Sequence, residues 1–207
     1  MRSFTLPGAP GRCPRCMLLV DHCLCASIGP REPSSPSVLI VRHHWEAWKS
    51  TGTARLAELA LSNLRIIDMK AEEPEPVRAE LGALEGAWLL YPGLEGSARL
   101  QTPPRTLVVL DGTWRQTRKM LRRLPELSRL PLFSLEEDPG TLERDRLRQP
   151  PRPGARSTLE SIADALRVLD SPERGQRLLD LHARFVEQTR ISRGQNSAPS
   201  KNSMRFA

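Results

Sequence analysis

Apolar positions fall into two recurring patterns along this chain. Short continuous runs, bounded by Gly, Pro or polar residues, read as strands buried on both faces. They are Val38-Leu39-Ile40-Val41, a candidate at Leu64-Arg65-Ile66-Ile67, Ala87 to Tyr91, and Leu107 to Leu110. Leu130 to Leu135 reads as a further strand, with Pro131 tolerable only near its start or at a sheet edge. Between these runs the period changes to that of a helix. Positions 56, 59, 60 and 64 predict a helix over 53–64, and a second is predicted over 115–124. Two more close the chain, over Thr158–Leu169 and about Pro172–Thr189. An acidic, proline-broken loop occupies Glu72 to Pro76. Strands alternating with helices predict an α/β fold on a parallel sheet.

The segments outside this alternation have a different character. Residues 1–28 hold all four cysteines, and 29–36 read as a Pro/Ser linker. The main domain is placed at 37–190, and the Ser/Asn/Arg-rich residues 191–207 read as a disordered tail. Cys13-x-x-Cys16 followed by Cys23-x-Cys25 reads as a four-thiolate structural zinc site. Two disulfides or a redox pair are the competing readings, and they fit a reducing compartment poorly. His22 is a spare ligand, but four thiolates already close the site.

Charge narrows the choice of partner. The formal net charge of +7 over 207 residues favours a polyanion, with nucleic acid the first candidate and simple solubility the bland alternative. No apolar run approaches the roughly 20 residues that span a bilayer. The first residues lack the apolar core of a secretory leader, so no membrane association is expected and the chain is read as cytoplasmic. Neither G-x-G-x-x-G nor G-x-x-x-x-G-K-[ST] occurs, which argues against a standard dinucleotide or P-loop site.

Candidate chemistry clusters at strand ends. Asp111-Gly112-Thr113-Trp114 sits at a strand-to-helix corner, where open α/β sheets bind ligands. Asp111 can act as a general base or fix a cationic ligand group. Trp114 can stack on a base, contact a cationic sulfur, or pack under its helix. Arg115, Arg118, Lys119 and Arg122 share one face of the following helix, with no acid between Trp114 and Leu124 to neutralise them. The face reads as a phosphate ramp or as an ordinary solvated surface. Lys49, Thr51, Thr53 and Arg55 lie between the first strand and first helix, where an anion cradle and plain N-capping compete. His43 and His44 read as structural. Ser157-x-x-Glu160 is a capping box, which gives Glu160 a structural role and leaves Thr158 to face the pocket.

Taken together, these residues resemble the DTW-domain family. The resemblance rests on the cysteine cluster, Glu46-x-x-Lys49, Thr53-x-Arg55-Leu56, Tyr91-Pro92, Leu110 to Trp114 with Arg118-Lys119-Met120, Leu147-Arg148 and Ser157-Thr158-x-Glu160. It implies a SPOUT-like sheet with a C-terminal trefoil knot. It also implies transfer of the 3-amino-3-carboxypropyl group of S-adenosylmethionine to N3 of a tRNA uridine, normally in the variable loop, releasing methylthioadenosine. In that reading Asp111, Thr113 and Trp114 form the catalytic corner, with Asp111 the base toward N3–H. Tyr91, Pro92, Gly93, Leu110, Leu132 and Leu135 would cradle adenosine. Thr51 and Thr53 would hold the carboxylate of the transferred arm, and Thr158 would border the pocket. Lys49, Arg55, Arg115, Arg118, Lys119 and Arg122 would meet RNA. Family members commonly carry Ser-Asn-Thr where this chain has Thr51-Gly52-Thr53, and related sequences can carry an aromatic where it has Asp145. The alternatives are a methyltransferase on the same fold and a non-enzymatic zinc RNA-binding module. Monomer and dimer both stay open.

Overall fold

The computed structural model describes residues 10–91, 102–136, 144–147 and 155–195. Five strands form one wholly parallel sheet: β1 (Ser37–His43), β2 (Leu64–Met69), β3 (Ala87–Leu90), β4 (Thr106–Asp111) and β5 (Leu132–Phe133). Their order is β2-β1-β4-β3-β5, so β1 and β4 lie at the centre. The helices are α1 (Ala54–Ala60), α2 (Glu75–Gly82), α3 (Trp114–Arg123), α4 (Pro125–Ser128), α5 (Thr158–Leu169) and α6 (Pro172–Ile191).

Side-chain alternation divides the core into two layers. Val38, Ile40, Leu107 and Val109 face α1, α5 and α6, against Leu56, Leu159, Ile162 and Phe185. Leu39, Val41, Leu89 and Val108 face the opposite way, onto Val77, Leu81, Met120, Leu124 and Leu127 of α2 to α4. Burial on both faces explains why the strands are runs of Val, Leu and Ile without polar alternation.

Local chemistry moves several element boundaries. The helix over 53–64 stops at Ala60, because Leu61 turns extended. Helix α2 sits beside a stretch that reads as a broken loop. Pro74 and Pro76 occupy its entry, where the missing proline N–H groups have no intrahelical partner to lose. The strand over 130–135 contracts to two residues at the sheet edge. Pro131 contributes its carbonyl to Leu89 N–H at 2.8 Å, a role that needs no proline donor. The Pro/Ser segment is pinned to the domain. Asn63 accepts from Ser34 N at 2.9 Å and donates to Ser34 O at 2.7 Å. The predicted tail lies outside the described residues beyond Gln195. Among the described residues no helix is long and apolar enough to cross a membrane.

The cysteine-bearing segment docks on the α6 side of the sheet. Cys16, Leu18 and Leu24 are buried in the same cluster as Phe185. Arg184 donates to Ser27 O at 3.2 Å, and His22 pairs its Nδ1 with Gln188 Oε1 at 3.2 Å. His22 is thus directed to α6, while the four cysteines group without it.

Helices α5 and α6 pack tightly at Gly175. A Cβ there would overlap Arg167 Cγ and the carbonyl oxygen of Ala163. Gly175→Ala must therefore separate the helices that carry the closing wall of the site. We expect a loss of roughly 1–3 kcal/mol in urea unfolding. A loss below about 0.5 kcal/mol, the usual range for surface changes, would show that the contact yields freely.

Candidate active site

Asp111 ends the central strand β4, in register with Arg42 of β1. The residue is 7% exposed. The Thr158 hydroxyl, in the first turn of α5, donates to Oδ1 at 2.5 Å. Oδ2 is buried with no hydrogen-bond partner among the described residues. Burial is the main influence on its pKa and raises it from the ordinary carboxylate value. The Thr158 hydrogen bond works against that rise, Glu46 adds to it, and Arg42 and Lys49 oppose it. The result is a carboxyl of increased basicity with one oxygen uncommitted.

Two cavities meet beside this group. The first, about 110 Å³, is lined by Leu90, Tyr91, Val109, Leu110, Leu135 and Ala155, among others. It is mainly apolar. The second, about 250 Å³, is the one richer in polar side chains, and it includes Glu46, Thr51, Thr53, Asp111, Arg146, Glu160 and His182. Trp114, Ala155, Arg156 and Thr158 belong to both walls. Trp114 meets Tyr91 edge-to-face, with centroids 6.3 Å apart at 77°. The paired rings close one side of the apolar compartment.

The polar wall is held by buried ion pairs. Glu160 is fully buried and closes the capping box with Ser157, its Oε2 accepting from Ser157 N at 2.8 Å. It also pairs with Arg146 at 3.0 Å. Burial alone would raise the Glu160 pKa, but the Arg146 and Ser157 hydrogen bonds outweigh it and leave the value lowered. Asp164 receives two bonds from Arg144, both 2.7 Å, and one from Arg156 at 2.7 Å. There too, desolvation is overcome by the arginines. His182 sits behind this wall, 3.3 Å from Ser157 Oγ, with its pKa lowered chiefly by burial. Asp145 pairs with Arg190.

Thr51, Thr53 and Gly52 line the polar cavity. Thr53 makes no side-chain cap on α1; its hydroxyl accepts from Leu159 N at 3.3 Å, across the site. A Cβ on Gly52 would stand 3.2 Å from Lys49 O and 3.4 Å from Glu46 O, so a glycine suits this tight loop.

Other sequence-predicted residues lie off the cavities or are engaged elsewhere. Thr113 is exposed and caps α3, its hydroxyl accepting from Gln116 N at 3.3 Å. Among the described residues it lines neither cavity. Arg55 is buried, because its guanidinium donates to Ala47 O at 3.1 Å and Lys49 O at 2.8 Å; it braces the loop from within. Lys49 is paired with the buried Glu46. Leu132 packs on the α3 side of the sheet and is not in the lining of either cavity. Pro92, Gly93 and Arg148 lie outside the described residues. Arg115, Arg118, Lys119 and Arg122 are all exposed, and among the described residues none forms an ion pair with an acid. Thr117, Met120 and Leu124 are buried on the inner side.

Other contributors went unrecognised in the sequence. Glu160 carried a visible cap signal that concealed its second role with Arg146. The Thr113-x-x-Gln116 spacing is itself a capping-box signature and was readable. His182 has no local signal; only the packing of α6 brings it here.

The four cysteine sulfurs lie within 4.8 Å of one another. Cys13 and Cys25 are 3.7 Å apart, and Cys16 and Cys23 are 3.8 Å apart. Disulfides have S–S near 2.05 Å, so these are four separate thiols. The Cys25 N–H points at Cys23 Sγ at 3.5 Å. Backbone N–H groups of Arg15 and Cys16 face Cys13, and those of Leu18 and Leu24 face Cys16. Amide donors turned onto clustered sulfurs favour thiolates and suit a metal ion.

Comparison with known proteins adds to this geometry. A Drosophila melanogaster protein named tRNA-uridine aminocarboxypropyltransferase 2 is 30% identical over 184 residues, which cover 84% of this chain and 72% of that protein. A Macaca fascicularis protein of the same name is 28% identical over 185 residues, covering 82% of this chain and 61% of that protein. The chain thus spans less than two thirds of the macaque protein. No solved structure matches. The DTW domain model matches residues 11–190, from the edge of the cysteine cluster through both cavities to the end of α6, and the chain belongs to the DTW-domain family.

Proposed function

We propose that this chain transfers the 3-amino-3-carboxypropyl group of S-adenosylmethionine to N3 of a tRNA uridine. The observation that carries the reading is Asp111: a buried carboxyl with one uncommitted oxygen, where an apolar and a polar compartment meet. The names of the two relatives point to the same chemistry.

The compartments suit the two ends of such a donor. The Tyr91, Leu90 and Leu110 side would take the adenosine. Thr51, Thr53 and Arg146 would meet the carboxylate of the arm, with Glu46 and Glu160 supplying negative charge for its ammonium. Trp114, shared by both walls, would face the sulfonium, where an aromatic π-face is attractive. The donor supplies a carbon activated by its positive sulfur.

Uridine N3 is a poor nucleophile while it holds its proton. Asp111 Oδ2 would take that proton, as burial makes it a stronger base and Thr158 fixes the other oxygen. The N3–C bond forms as the C–S bond breaks, and the electron pair leaves with the sulfur of methylthioadenosine. Holding nitrogen, carbon and sulfur in line is the enclosed site's larger contribution. The target base must be single-stranded or unstacked to expose N3.

The basic face of α3 begins at the rim of this site and would carry the RNA backbone. For the cysteines we propose structural zinc. Zn–S bonds of about 2.3 Å put tetrahedral sulfurs about 3.8 Å apart, close to the observed pairs. Four thiolates leave no open position, so the ion would tie the short segment together and take no part in transfer. We also propose the knotted closure of the SPOUT class. Its support is the return of the chain from edge strand β5 to the end of central β4, where Thr158 meets Asp111.

The decisive experiment incubates tRNA with protein and S-adenosylmethionine and analyses nucleosides and spent donor by mass spectrometry. Aminocarboxypropyluridine with methylthioadenosine is expected; S-adenosylhomocysteine would mean methyl transfer. Asp111→Asn should abolish transfer while tRNA binding persists, and full activity would remove Asp111 from the mechanism. Stability gives an independent reading. A carboxyl with a raised folded pKa is most favourable when protonated, and its contribution is lost as pH rises through that value. The stability of Asp111→Asn minus that of wild type should therefore grow as pH rises above about 4, the unfolded carboxyl's value. A flat difference would mean that folding leaves this carboxyl unperturbed. Converting Arg118 and Arg122 to Gln should lower the slope of log affinity against log salt by about 1.5, with donor binding unchanged. An unaltered slope returns that face to plain solvation. Finally, elemental analysis should find about one zinc per chain, and chelation should expose the four cysteines to a thiol reagent and lower the melting temperature. Thiols equally reactive before chelation would count against a closed site.

A further inference from the structure

β1 ends one residue past Arg42, the register partner of Asp111. The chain there continues through His43, His44 and Trp45 as a series of rings. His43 and His44 stack with centroids 4.7 Å apart at 21°, and His44 meets Trp45 at 4.9 Å and 43°. Trp45 is 52% exposed, and among the described residues no other Trp, Tyr or Phe side chain is exposed. Leaving a large aromatic open to water forgoes much of its burial energy. About half of its surface is thus open to a ligand, while His44 backs the ring.

The rings are fixed. His44 Nδ1 bonds Met69 O at 3.2 Å, which requires the proton on that nitrogen. His43 Nδ1 receives both Trp45 N–H at 3.4 Å and Gln116 Nε2 at 3.3 Å. Gln116 Oε1 is taken by Thr113 N–H at 2.6 Å, so its amide orientation is set and Nε2 is the donor. His43 is accordingly neutral, with its proton on Nε2. The same glutamine lies in the first turn of α3, so the ring series is joined to the helix that bears Arg115, Arg118, Lys119 and Arg122. The residue after Trp45 is Glu46, which lines the polar cavity.

We infer that Trp45, supported by His44 and His43, is a stacking platform for an unpaired nucleobase of the RNA substrate, next to the nucleotide held at Asp111. An aromatic face beside a cationic track is the arrangement that holds single-stranded nucleic acid, and stacking accepts any base. Lys119 and Lys49 lie near enough to act on His43, and such cations favour a polyanion over an apolar protein surface. The platform rests on the proposed RNA substrate and adds a second contact outside the cleft.

The test uses the full-length protein and measures tRNA affinity over a range of salt for Trp45→Ala and Trp45→Phe. Trp45→Ala should weaken tRNA binding by roughly tenfold, Trp45→Phe by much less, both with the wild-type salt slope. Donor binding and thermal midpoint should stay unchanged, because the side chain is exposed. Undiminished binding in Trp45→Ala, no advantage of Phe over Ala, or an altered slope would each overturn the platform. Wild-type protein that fails to bind tRNA at all would instead sink the underlying RNA-modifying reading.

Discussion

The hydrogen bond from Thr158 to Asp111 joins the two halves of this molecule at the place where its chemistry is set. Asp111 arrives on the most constrained part of the sheet, a central parallel strand paired on both sides. Thr158 arrives on a helix nearly fifty residues later. Neither half forms a site alone. Without Thr158, neither oxygen of the buried carboxyl would have a hydrogen-bond partner among the described residues. The bond therefore orients one oxygen while burial keeps the other basic, and a single geometric fact sets both position and reactivity.

That bond depends on how α5 is aimed. Its first turn is fixed by Ser157 and Glu160, by the Thr53 hydroxyl on Leu159 N–H, and by the Arg146–Glu160 pair. Arg144 and Arg156 converge on Asp164 one turn further on. Buried pairs of this kind seldom add net stability, since desolvation offsets the attraction. Losing one member is costly, however, typically about 3–5 kcal/mol, because it strands a charge. The pairs are better understood as a device that permits only one placement of residues 144–147 and 155–157 against the sheet. The polar cavity is the space this placement leaves.

The sequence was legible where a pattern is local. Runs such as Val38 to Val41 can hardly be anything but buried strands, and Asp111 had to sit at a carboxyl end. The Ser157 cap, α5 and α6 were readable for the same reason. Where meaning depends on packing, the reading failed or stopped short. Arg55 has the charge of an RNA contact, yet its position on the inner face of α1 turns it onto loop carbonyls. Pro74 and Pro76 look like breakers until their place in the first turn is known. Arg146, Glu160 and His182 are far apart in sequence, and nothing short of the folded arrangement brings them to one wall.

The Asp-Gly-Thr-Trp corner shows how four adjacent residues divide the work. Asp111 supplies the carboxyl. Trp114 supplies the wall shared by both compartments. Thr113 was placed among the catalytic groups, but its hydroxyl and N–H are used in the cap with Gln116. Gly112 leaves room for that cap, because a Cβ there would crowd Gln116 at 3.2 Å from its Cβ and 3.4 Å from its Oε1. Gln116, so fixed, reaches on to His43 at the end of the neighbouring strand. The corner is thus a joint as well as a site. It places the carboxyl in the cleft, starts a basic helix at the rim, and ties that helix to β1. A substitution at Gly112 or Gln116 would touch no ligand, yet it would loosen the relation between the cleft and the surface beside it.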